Sequence, residues 1–102
     1  MLSNAAYAAW DPDHGAGWSR TIVRTLLRTE LGYKGVTITD SITAAARTRG
    51  MAGWLLAAKA ANAGTDLLLL TGTEASTAEA FDRILEKAEL SIWCSSALKA
   101  RP

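Results

Sequence analysis

The sequence predicts an α/β fold in which parallel strands alternate with helices. Two short runs, Val36–Asp40 and Thr65–Thr71, are rich in Val, Ile, Leu and Thr and carry no helical period. Segments rich in Ala, Leu and basic residues lie before and between them, and two of these stop on a glycine, Gly32 and Gly64. Strand–helix alternation of this kind packs a parallel sheet under right-handed crossovers.

In chain order, Met1–Ser3 reads as the stub of an extended segment, and Asn4–Ser19 as a loop broken by Asp11-Pro12, Gly15 and Gly17. Ser19 is an N-cap for a helix whose apolar face is Ile22, Val23, Leu26, Leu27 and Leu31, closed by Gly32. Arg20, Arg24 and Arg28 recur four apart on another face, which reads as solvated. Gly35 opens the buried strand Val36–Asp40, and Ser41–Gly50 mixes loop and helix character. Met51–Ala63 is helical. The continuous run Leu67–Leu70 inside Thr65–Thr71 predicts a strand buried on both faces. Ser76 with Glu79 reads as a capping box. Phe81, Ile84, Leu85 and Ala88 form the core face of the helix behind it, and a short helix over Ile92–Ala100 ends the chain. Trp54 and Trp93 read as packing residues on helices, and Cys94 as a small, partly buried hydrophobe.

Two strands and a stub leave flat apolar edges that nothing in the chain covers. A closed (β/α)8 barrel needs about 250 residues. The 102 residues therefore read as one unit, a segment of an incomplete barrel. Its expected partners are the rest of the barrel, or other copies of the chain through the strand edges. A hydrophobic fraction of 49% supports a packed core. The net charge of +1 gives no reason to expect nucleic acid or an anionic membrane surface. Cys94 is the only cysteine, which excludes an internal disulfide and a cysteine-based zinc site. No metal or cofactor is expected. No stretch approaches the roughly 20 apolar residues of a membrane span. The first residues lack the basic-then-apolar pattern of a secretory leader, and the compartment stays open.

In parallel α/β folds, chemistry collects at the carboxyl ends of strands. Ser3-Asn4, Asp40-Ser41 and Thr71-Gly72-Thr73 stand at such ends, and Asp40 is the only ionisable side chain among them. A carboxylate there can serve as nucleophile, base or metal ligand, or can simply cap the next helix. Asn4 and Ser41 are the neighbouring candidates for binding substrate. Asp13-His14 is an acid–imidazole pair in sequence, but it lies within the Asn4–Ser19 loop and reads as surface. Trp10 and Trp18 flank the same loop, where an indole can stack on a sugar ring or pack against the fold. Thr71 and Thr73 read as turn residues.

The run from Arg28 to Ser41, with Arg28, Glu30-Leu31-Gly32-Tyr33, Gly35-Val36 and Thr39-Asp40-Ser41, resembles a stretch of the family 3 glycoside hydrolases. Tyr7 with Asp11-Pro12 resembles the loop that precedes it in that family, and Ser19 the start of the following helix. Ala61–Leu69 resembles the approach to the last barrel strand, and Leu98-Lys99 the end of the domain. The resemblance covers nearly the whole chain in order and spacing, and is closest to the β-N-acetylhexosaminidase type. It implies the C-terminal portion of a (β/α)8 barrel, from a sixth-strand stub to the last helices. It also implies retaining hydrolysis of β-linked N-acetylhexosamine or related glycosides, with a carbohydrate as substrate and Asp40 as nucleophile. The family's upstream acid/base segment, a Lys-His-Pro-Gly-type loop followed by an Asp–His pair, has no match here. The chain is thus expected to be a fragment, inactive by itself. Asn4 stands where the family usually has His, Ser41 where an acidic residue often follows the nucleophile, and Thr43-Ala44 where Ser-Met is common. Two other readings stay open: a non-catalytic half-barrel used for binding or assembly, and another (β/α)8 enzyme such as a lyase or aldolase using Asp40 as base or metal ligand.

Overall fold

A computed structural model describes residues 1–90. The expected helix Ile92–Ala100, with Trp93, Cys94 and Leu98-Lys99, lies outside the described residues. The elements are β1 (Ala6–Tyr7), β2 (Asp11–Gly15), a 3-10 turn (Ala16–Trp18), a π-helix (Thr21–Glu30), α1 (Ile42–Arg49), α2 (Gly53–Ala63) and α3 (Glu74–Leu90). The fold is mixed α/β.

The expected loop before Ser19 contains a small antiparallel hairpin, with Ala6 opposite Gly15 and Tyr7 opposite Asp11. Ser19 caps the following helix as expected: its Oγ accepts the Ile22 N–H at 3.1 Å. That helix is not an α-helix. It closes with the Leu31 N–H on the Leu26 carbonyl, five residues back, at 2.9 Å. Such bonding sets more residues in each turn than the 3.6 of an α-helix. A stripe read at α spacing therefore drifts around the axis. Ile22 and Val23 are buried, Leu26 and Leu27 half-buried, and Leu31 is exposed. Nor do the arginines form one solvated face. Arg24 reaches the carbonyls of Asn62 and Ala63 at the end of α2, and Arg28 turns toward the strands.

The two expected strands are extended segments joined by single parallel bridges, Leu2 with Thr39 and Ile38 with Leu67. Side chains take over the ladder after one rung, so neither run becomes a regular strand. Val36–Asp40 lies between the stub and the last run. Burial alternates along these segments. Thr37 and Thr39 are buried, while Val36 and Asp40 are exposed. Leu68 and Leu70 pack on the core, whereas Leu67 is 52% exposed. Among the described residues, Leu67–Leu70 is therefore covered on one face only, the face that meets the helices of the core. Asp40 shares the open face with Val36 and Ile38.

Ser41–Gly50 resolves into α1. Ser41 Oγ accepts the Ala44 N–H at 3.1 Å, and Gly50 ends the helix at φ 64°, a left-handed conformation that glycine adopts freely. α2 begins at Gly53, two residues later than expected, and ends at Gly64. The core gathers Trp18, Ile42, Ala45, Ala46, Leu56, Ala57 and Ala60, with Met51, Leu68, Leu70 and Ile84 against it. Ile42 and Leu56 are fully buried and contribute roughly 2 kcal/mol each.

α3 starts three residues before the expected box. Thr73 is its cap, with Oγ1 accepting the Ser76 N–H at 3.1 Å. Its core face is Ala80 and Ile84, while Phe81 is 67% exposed and Leu85 46%. On this helix Arg83 and Lys87 stack over Trp54, at 5.1 and 5.8 Å. The side chain of Ala88 lies outside what the structure describes. No described helix is long and apolar enough to cross a membrane.

Candidate functional site

The site is built from the irregular end of the ladder. On the stub side the pairing is regular: the Leu2 N–H donates to Ile38 O at 2.7 Å and the Asp40 N–H to Leu2 O at 2.9 Å. On the other side it begins regularly, with Leu67 N–H on Thr37 O at 2.9 Å and Thr39 N–H on Leu67 O at 3.0 Å. The next rungs of a parallel ladder would be Leu69 N–H to Thr39 O and Ser41 N–H to Leu69 O. Neither forms that way. Leu69 N–H donates to Thr39 Oγ1 at 3.0 Å, and Ile42 N–H takes Leu69 O at 2.8 Å. One extra residue is accommodated here, the signature of a bulge. It releases the Ser41 N–H, which donates to Asp40 Oδ1 at 2.7 Å.

Three strand ends converge on this turn. Asn4 Nδ2 donates to Ser41 O at 3.0 Å. Ser41 Oγ and Thr71 Oγ1 are hydrogen-bonded at 2.7 Å, and either hydroxyl can donate. Thr71 N–H donates to Thr43 Oγ1 at 3.0 Å. Asn4 Oδ1 is buried and has no partner among the described residues. The capping role that Asp40 could have played is filled by Ser41, so the carboxylate of Asp40 is not engaged with the helix after it. Asp40 is exposed and makes no ion pair among the described residues. Asn4, Asp40 and Ser41, picked from their positions at strand ends, are thus brought together. Thr71 joins them through a hydroxyl contact that its reading as a turn residue did not suggest. The repeated hydroxyls at Thr39, Ser41, Thr43 and Thr71 were the available signal.

The Asp13–His14 pair does not form. His14 Nδ1 lies 3.1 and 3.2 Å from the two carboxylate oxygens of Asp11 instead. The Ser19 hydroxyl donates to Asp11 Oδ2 at 2.6 Å. This hydroxyl, and after it His14 and the Asp13 N–H, hold the Asp11 carboxyl below its usual range against the opposing effect of burial. A cleft of about 230 Å3 beside it is lined by Asp11, His14, Trp18, Arg20, Lys59 and Asn62. Trp18 is a core residue, with Arg49 stacked 5.0 Å from its ring, and cannot offer a face to a sugar. Trp10 is exposed on the hairpin, tilted against Tyr7.

Residues 1–97 match the family model described as glycosyl hydrolase family 3 N terminal domain. The chain is similar to a β-N-acetylhexosaminidase from Beutenbergia cavernae, with 34% identity and a TM-score of 0.86 over 95% of this chain and 29% of that one. It is also similar to a fungal multi-domain β-N-acetylglucosaminidase, with 28% identity and a TM-score of 0.79 over 97% of this chain and 12% of that one. A secreted glycosyl hydrolase of Arthroderma benhamiae is 44% identical over 78% of this chain and 23% of its own length. The chain therefore spans between about a tenth and three tenths of the proteins it matches.

Proposed function

From a chain that belongs to the family 3 glycosyl hydrolases, through their N-terminal domain, we propose a segment of a (β/α)8 barrel that supplies the nucleophile of a retaining glycosidase. The substrate class is β-linked N-acetylhexosamine or a related glycoside, a reading supported by the names of the two structural relatives. The observation that carries the proposal is the state of Asp40. It stands at the carboxyl end of the middle strand run, exposed among the described residues, with one oxygen held by the Ser41 N–H at 2.7 Å. A rigid carboxylate facing the axis of a barrel is what nucleophilic attack on an anomeric carbon requires.

In this reaction a carboxylate oxygen of Asp40 bonds to the anomeric carbon as the glycosidic bond breaks, and the leaving oxygen takes a proton from a general acid. Water, deprotonated by the same group, then releases the sugar and restores the carboxylate. Among the described residues no histidine or second acid stands beside Asp40, and His14 is engaged with Asp11. The acid/base belongs to the portion of the barrel outside this chain. Asn4 and Ser41 flank the carboxylate, where polar groups can meet the sugar.

The test uses the full-length protein and a dinitrophenyl β-N-acetylglucosaminide, whose leaving group needs little protonation. Asp40→Asn is expected to lower kcat at least about a thousandfold, and a glycosyl adduct should map by mass spectrometry to the peptide holding Asp40. Turnover at the wild-type rate in Asp40→Asn would sink the assignment. The 102-residue chain alone, with Val36 66% and Leu67 52% exposed, is expected to be inactive and to self-associate at micromolar concentration. A monodisperse monomer in size-exclusion chromatography counts against the barrel-segment reading.

A further inference from the structure

We infer that Asn4 and Thr71 are positioning residues that fix the direction of the Asp40 carboxylate by holding Ser41 from both sides. The inference rests on the reading of Asp40 as nucleophile.

The bulge is the starting point. It takes the Ser41 peptide out of the backbone ladder, and the freed Ser41 N–H becomes the hydrogen-bond donor to Asp40 Oδ1. The position of that N–H decides where the carboxylate oxygens sit. A turn released from its ladder can rotate about its backbone dihedrals unless other groups hold it. Here two side chains do so. From the stub, Asn4 Nδ2 grips the Ser41 carbonyl at 3.0 Å. From the last strand run, Thr71 Oγ1 grips the Ser41 hydroxyl at 2.7 Å, while that hydroxyl oxygen also accepts the Ala44 N–H that starts α1. Thr71 is itself seated by its backbone N–H on Thr43 Oγ1. The link from Leu69 N–H to Thr39 Oγ1 closes the gap left on the other side of the bulge.

The chemistry of the residue types fits these roles. Holding a carbonyl needs a donor, which an Asn amide provides and a carboxylate or apolar side chain does not. None of the hydrogen bonds described for Asn4 or Thr71 goes to the Asp40 carboxylate. Their effect on the reaction passes through Ser41. Loss of either tie is therefore expected to change the rate of attack more than the binding of substrate. A misplacement of about one ångström can cost about a hundredfold in rate.

The experiment measures kcat and KM separately for the full-length protein on dinitrophenyl β-N-acetylglucosaminide. Asn4→Leu, close in shape but without a donor, is expected to lower kcat about 30- to 100-fold with KM within about twofold. Thr71→Val is expected to lower kcat about 3- to 10-fold, again with little change in KM. Asn4→His, whose ring N–H can reach the same carbonyl, should recover most of the kcat lost in Asn4→Leu. Wild-type kcat in Asn4→Leu and Thr71→Val overturns the inference. So does a raised KM at unchanged kcat, which would make Asn4 a substrate contact. If Asn4→Leu fails to fold, as judged by thermal unfolding, Thr71→Val decides: a lowered kcat at unchanged KM supports the inference and an unchanged kcat overturns it. Asp40→Asn is the reference. Full turnover in that variant defeats the nucleophile reading itself, whereas an inactive Asp40→Asn beside a fully active Asn4→Leu and Thr71→Val defeats only the positioning role.

Discussion

Asp66 and Asp40 stand at opposite ends of adjacent strand runs, and the fold treats their carboxylates in opposite ways. Asp66 Oδ2 accepts from Arg28 Nη2 at 2.9 Å, from the Thr37 N–H at 2.9 Å and from the Thr37 hydroxyl at 3.0 Å. Arg28 in turn donates to the carbonyls of Tyr33 and Gly35 and stacks over the Tyr33 ring. That carboxylate ties the helix before the first run to the starts of both runs. At the carboxyl ends, Asp40 takes one short bond from its own neighbour and stays exposed. A carboxylate whose lone pairs are occupied by a guanidinium and a threonine is structural. One that accepts a single bond and stays exposed keeps its remaining acceptor sites for chemistry.

The sharpest way to test this contrast is to neutralise each acid in turn. Asp40→Asn removes turnover, at least about a thousandfold, and is expected to leave stability within about 0.5 kcal/mol, as at an exposed position. Asp66→Asn is expected to do the reverse. It leaves Arg28 without its counter-charge and costs about 2 to 3 kcal/mol in urea unfolding, with kcat of the folded protein within about twofold of wild type. Equal destabilisation by the two substitutions would break the contrast.

A third acid, Asp11, sharpens it at a smaller scale. Its carboxyl is held below the usual range chiefly by the Ser19 hydroxyl. A carboxylate with a lowered folded-state pKa stabilises fully above the ordinary carboxylate range, and that contribution is lost as pH falls through the lowered value. Ser19→Ala also removes the helix cap, so it is expected to cost about 1 kcal/mol at neutral pH and to flatten the loss of stability below about pH 4. Chemical unfolding as a function of pH reads both. An acid limb as steep as in the wild type would show that the Ser19 hydroxyl does not set the titration of Asp11.

The order of elements was legible from the sequence because its punctuation is local. Gly32, Gly50 and Gly64 all adopt positive φ where a helix stops, and Ser19 and Ser41 cap as their chemistry suggests. Asp40 was singled out because it is the only ionisable residue at a strand end, and the structure brings Asn4 and Ser41 beside it. What the sequence hid depends on distant partners. Arg28 meets Asp66 across 38 residues, and nothing in either residue's neighbourhood marks the pairing. The bulge changes no residue type, only which N–H meets which carbonyl. The exposure of Phe81, Leu85 and Leu67 was misread because an apolar residue announces that it wants cover, not whether this chain provides it.

The π-helix has a consequence for changes in chain length. Within it, Arg24 and Arg28 aim at different targets, the end of α2 and the starts of the strand runs. Deleting a single residue between Arg24 and Arg28 would swing one of them about the helix axis relative to the other by roughly 100°, the turn of one helical residue. The two arginines could then no longer serve both targets. Substitutions on the outer surface of this helix leave that arrangement intact, whereas a one-residue deletion uncouples the helix from the strands it orients. The segment tolerates new side chains more readily than a new count of them.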